Sequence, residues 1–114
     1  MIRIYVERAS VCMGDDVTAP NAETFFFAQD EPIDTLMQNL CDYVPKMRNV
    51  VWEIFCNNTA FGYLISDDTG KYQYETLESV RFISELPESE IFCKYHYKNI
   101  EDIIDGFNTM NRKG

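Results

Sequence analysis

From Ile33 to Val44 the apolar residues fall on one stripe. Ile33, Leu36, Met37, Leu40, Cys41 and Val44 stand at i, i+3, i+4, i+7, i+8 and i+11. That spacing predicts an amphipathic helix, and such a helix must bury its apolar face against another element. Pro45 ends it, Pro32 fits an early helical position, and Asp30, Glu31 and Asp34 are expected in the first turn, where the helix dipole favours anions. The flanking segments have strand character. Ile2, Ile4 and Val6 alternate with Arg3, Tyr5 and Glu7, as in a half-buried strand. Thr24–Ala28 carries three consecutive phenylalanines, which suits a strand covered on both faces, or one covered on one face and used for binding on the other. Asn49–Cys56, Thr59–Ser66 and Lys71–Glu75 predict a three-strand meander, joined by turns at Asn57-Asn58 and Asp67–Gly70. Gly62 is expected to mark a bulge or a close backbone approach. Thr76–Leu86 fits both a strand and a short helical stripe, and the strand is preferred. Glu90–Tyr97 is a further strand, after which Asn99 caps a second helix with the stripe Ile100, Ile103, Ile104 and Phe107.

These elements predict an α+β fold in one domain over residues 1–114: a mostly antiparallel sheet of five or six strands with two helices. A chain of 114 residues has room for one core. Its 46% hydrophobic and 14% aromatic content argues for a folded chain despite a net charge of −9. The order strand, loop, strand, helix over residues 1–56 resembles the opening of a ubiquitin-like β-grasp domain. Two features depart from that pattern: the loop Ala9–Glu23 is longer than a tight hairpin, and a helix follows Tyr97. The sequence closes on Asn-Arg-Lys-Gly without paired glycines, so the resemblance carries no expectation of conjugation.

The charge is unevenly placed. No positive residue stands between Arg8 and Lys46, where seven carboxylates occur: Asp15, Asp16, Glu23, Asp30, Glu31, Asp34 and Asp42. A single-sign field of this kind repels nucleic acid and anionic membranes and attracts basic partners. The expectation is a non-enzymatic cytoplasmic protein that occludes a basic protein partner, with those seven residues as the contact surface. Small acidic immunity and antitoxin proteins, and phage-encoded inhibitors of nucleic-acid-binding machines, are like it as a class, their carboxylates imitating phosphates. Solubility alone is the competing account of the same charge.

Enzymatic chemistry finds less support. The loop Ser10–Asp16 joins a thiol, Cys12, to Asp15 and Asp16, and a small enzyme or ligand-binding domain centred there is the alternative reading. Nucleophilic use of Cys12 would need a lowered thiol pKa, which adjacent carboxylates oppose. His96 is the single histidine, and Cys41, Cys56 and Cys93 are scattered, so neither a metal nor a cofactor is expected. Apolar runs are too short to span a bilayer, and the alternating start lacks signal-peptide features, so reduced thiols in a cytoplasm are anticipated.

Overall fold

Strand pairing brings residues near the start and near the end of the chain together in the middle of one sheet. The computed structural model describes residues 1–9 and 22–113. Among these are strands β1 (Ile2–Arg8), β2 (Ala22–Phe27), β3 (Val51–Cys56), β4 (Thr59–Ser66), β5 (Tyr72–Thr76) and β6 (Glu90–His96), with helices α1 (Ile33–Tyr43) and α2 (Ile100–Lys113). The strand order is β2-β1-β6-β3-β4-β5. The β1–β6 pair is parallel, and the other pairs are antiparallel. The architecture is therefore α+β with one mixed, mostly antiparallel, six-stranded sheet.

Alternation along β3 sorts the two faces. Trp52, Ile54 and Cys56 join the main core with Ile33, Leu36, Met37 and Leu40 of α1, Ile4 and Val6 of β1, and Phe27 of β2. The intervening Val51 lies on the other face, where it clusters with Tyr63 and Phe107 under α2. Tyr63 and Phe107 meet edge to face, with ring centroids 5.1 Å apart. One helix thus covers each face. The α1 stripe packs as expected, with Val44 also buried and Cys41 half-buried. On the α1 side the Trp52 indole N–H donates to the Tyr72 hydroxyl at 3.1 Å, and that hydroxyl donates to the Pro45 carbonyl at 2.8 Å.

The turns follow local chemistry. Asn57 and Asn58 have φ of 53° and 63°, the left-handed pair that a two-residue hairpin matched to strand twist requires. At Asp67–Gly70 the Asp67 carboxylate accepts from the Thr69 amide and hydroxyl and from the Lys71 amide, at 2.8, 2.6 and 3.1 Å. Gly62 serves both expected roles. Ile54 pairs with Gly62 but Phe55 with Ala60, which leaves Phe61 as the extra residue of a bulge. A Cβ on Gly62 would stand 2.6 Å from the Glu75 carbonyl oxygen and 2.9 Å from Met37 Cε.

Three expectations are corrected. Thr76 ends β5, but residues 77–86 do not form a strand of the sheet. Ile33 donates to the Arg81 carbonyl and Ile83 to that of Glu31, a single bridge pairing Pro32 with Phe82, and Ile83–Glu85 then makes a 3-10 turn. This segment has to travel from the edge strand β5 back to the middle of the sheet. It buries Ile83 in the main core on the way, with Leu77, Val80 and Leu86 packed against it. Asp30 and Glu31 precede α1 rather than occupying its first turn, and Pro32, with ψ 155°, is the residue before it; Asp34 alone of the three acids lies in that turn. Of the two arrangements open to the Phe run, the structure has cover on one face: Phe27 is buried and Phe25 half-buried on the α1 side while Phe26 is 62% exposed on the other. Glu23 is part of β2, where it pairs with Val6, and not of the preceding loop.

Candidate functional site

Of the seven acids singled out in the sequence, Asp15 and Asp16, together with Cys12, lie outside the described residues. Glu23, Asp30, Asp34 and Asp42 are exposed, and Glu31 is half-exposed. They border α1 without forming one cluster. Asp34 and Asp42 stand eight positions apart on an 11-residue helix, which separates them by about 12 Å along its axis. Three of the five have local roles, Glu23 among them, its carboxylate accepting the Thr24 amide at 3.0 Å. The Glu31 backbone belongs to the bridge with residues 81–83, and the Asp34 carboxylate accepts the Tyr74 hydroxyl at 3.0 Å. Glu23, Asp30 and Asp42 have free access to solvent.

A second acidic region lies on the other face of the sheet, where sequence reasoning placed no site. While α2 covers β3 and β4 there, the half made by β2, β1 and β6 keeps three large rings accessible: Phe26 at 62%, Phe92 at 41% and Tyr5 at 38%. The register explains how they meet. Across β1 and β6, Tyr5 stands opposite Glu90 and Glu7 opposite Phe92. Across β6 and β3, Phe92 stands opposite Phe55. Directly paired residues share a face, with Cβ atoms roughly 4.5–5.5 Å apart. The outcome is two adjoining rows, Tyr5–Glu90 and Glu7–Phe92–Phe55, that set aromatic and acidic side chains side by side.

These rows, closed at one end by Glu88 and the Asn57-Asn58 turn, line a cleft of about 310 Å³ that no lysine or arginine lines. A hydrogen bond with Glu7 holds the Tyr5 hydroxyl above its ordinary pKa, helped by burial and by the charges of Glu7 and Glu90. A second cleft, of about 480 Å³, continues past Phe55 and Asn58 beneath α2 and includes Glu53, Asp102 and Phe107. Glu53 is engaged there, its Oε1 lying 2.5 Å from His96 Nε2. The signal for this region in the sequence was the outward set of the alternating strands, Tyr5 and Glu7 in β1 and Glu90 and Phe92 in β6. What joins them is the parallel pairing of strands more than eighty residues apart, which periodicity does not encode.

The described thiols are poorly placed for chemistry. Burial pushes Cys93 up to about 12 and Cys41 to about 11, with the Asp42 charge adding to the latter, and burial raises Cys56 as well. Neutral thiols are weak nucleophiles and poor metal ligands at neutral pH. His96 and Cys93 point to opposite faces of β6. Among the described residues no group of three or more His, Cys, Asp or Glu side chains is arranged to hold a metal ion. Nor is any described helix long and apolar enough to cross a membrane.

No family model, curated protein or solved structure matches this chain, so the likeness to β-grasp domains is not confirmed.

Proposed function

We propose that this protein is a small, non-enzymatic cytoplasmic binding protein that occludes a basic protein partner, in the manner of immunity, antitoxin or inhibitor proteins. The observation that carries the reading is exposed acid on both faces of the sheet. Glu23, Asp30 and Asp42 are open around α1, and Glu7, Glu88 and Glu90 surround exposed rings on the opposite side. Carboxylates speed the encounter with a basic surface, and aromatic side chains supply the anchors that a merely soluble surface does without. A partner built to bind nucleic acid suits this arrangement, since rows of carboxylates substitute for phosphates.

The test is capture of the partner from the native host, followed by association rates at rising salt. A basic partner whose association slows steeply with salt is expected. Combined reversal of Asp15, Asp16, Glu23 and Asp42 should slow association further, since single exposed contacts are worth only about 0.2–1 kcal/mol. A neutral or acidic partner bound equally well at high salt would overturn the proposal and leave solubility as the role of the acids.

A further inference from the structure

We propose that the cleft between β1 and β6 is the seat for an arginine side chain of that partner. The inference rests on the basic-partner reading and gives it a location and a residue preference. The cleft offers three aromatic rings, Tyr5, Phe55 and Phe92, and three carboxylates, Glu7, Glu88 and Glu90. Rings attract a cation over their faces, and carboxylates accept its N–H groups. A guanidinium does both at once, because it is planar, weakly hydrated and forked, whereas an ammonium is a compact, strongly hydrated point charge. The volume of about 310 Å³ lies at the lower end of small-ligand sites, which suits one long side chain.

Other occupants meet opposition. Phosphate groups would face the carboxylates directly, which excludes nucleic acid from this cleft. An apolar segment would desolvate Glu7, Glu88 and Glu90 without pairing them. A second copy would bring together two chains of net charge −9. An arginine brings the carboxylates a cation and N–H donors while covering the exposed rings of Tyr5 and Phe92. The acids of this cleft come from β1, β6 and the turn before β6, so it is a separate contact from the acids around α1.

The experiment titrates isotope-labelled full-length protein with tetra-arginine and with tetra-lysine at low salt, following backbone amide resonances. Tetra-arginine is expected to shift Tyr5, Glu7, Phe55, Glu90 and Phe92, and to bind several-fold more tightly than tetra-lysine. Phe92→Leu keeps an apolar side chain but removes the ring, and should weaken tetra-arginine roughly two- to five-fold. Glu7→Gln with Glu90→Gln should weaken it about ten-fold. A thermal melt of each variant checks that the fold is retained. Shifts confined to Glu23, Asp30 and Asp42, unchanged by Phe92→Leu, would overturn the cleft proposal while leaving the basic-partner reading in place. Equal affinity for the two peptides would remove the arginine preference and with it the proposal. If neither peptide shifted any resonance, both readings would fall. Self-association that perturbs the same residues without peptide would assign the cleft to a second copy and likewise overturn the inference.

Discussion

Replacing Gly62 by alanine tests how closely α1 and β5 approach the bulge in β4. The added methyl carbon would stand 2.6 Å from the Glu75 carbonyl oxygen, a distance at which one of the two must move. Met37 Cε, 2.9 Å away, ends a flexible side chain and can turn aside. The carbonyl cannot follow without opening the β4–β5 ladder beside the Gly62–Thr76 pair. Overpacking of this kind costs about 1–3 kcal/mol. Loss of glycine from a strand returns roughly 0.5–1 kcal/mol of backbone entropy, so the expected net destabilisation is about 1–2 kcal/mol. Urea unfolding followed by Trp52 fluorescence should show a midpoint lowered by roughly 0.5–1 M at an unchanged slope of about 2 kcal/mol/M. Gly106→Ala is the matched control. It lies inside α2 with nothing within 4 Å of the added carbon, so the same substitution should stabilise by roughly 0.5–1 kcal/mol. The two changes are expected to move the midpoint in opposite directions. A Gly62→Ala protein as stable as the parent, or one stabilised like Gly106→Ala, would show that the bulge has room and refute the argument.

Tyr72→Phe removes the hydroxyl that links the Trp52 indole to the Pro45 carbonyl, leaving a fully buried indole N–H without its acceptor. It should cost about 1–3 kcal/mol in urea unfolding, and a loss below about 0.5 kcal/mol would mean that water replaces the hydroxyl. The acid limb of stability has two identifiable contributors. Hydrogen bonds from Thr69 and Lys71 hold Asp67 below the ordinary carboxylate pKa, and those from the Arg81 and Phe82 amides do the same for Glu85. Groups lowered on folding lend stability above their unfolded pKa of about 4, and lose it as pH falls through the lower folded value. Asp67→Asn with Glu85→Gln should therefore lower the urea midpoint at pH 7 and flatten its decline below about pH 4; an unchanged decline would refute the assignment.

How much of this was legible in the sequence varies with the range of the interaction involved. The α1 stripe, the meander and the Asn57-Asn58 turn were readable because periodicity, two prolines and a pair of asparagines specify them within a few residues. Thr76–Leu86 was misread because its apolar spacing satisfies two periods, and its conformation is set by a bridge to Pro32, some fifty residues earlier. The acids around α1 were visible as a run of one sign in the chain. Those of the cleft were not, since Glu7 and Glu90 stand near basic residues in sequence, Arg8 and Lys94, and meet only through the β1–β6 register.

That register also sets the order in which the sheet can be assembled. β6 is inserted between β1 and β3, so within the sheet it is the strand that joins the β2–β1 pair to the β3–β4–β5 meander, while α1 packs across both. During synthesis both units emerge before Glu90–His96 does, each with a long strand flank still unpaired, β1 on one and β3 on the other. Until β6 has emerged there is no continuous sheet and no row for Phe92 to complete. A chain stopped before Glu90 would keep α1 across both strand groups but leave the flanks of β1 and β3 open, and a peptide spanning residues 88–97, supplied separately, is the natural wedge to close that gap.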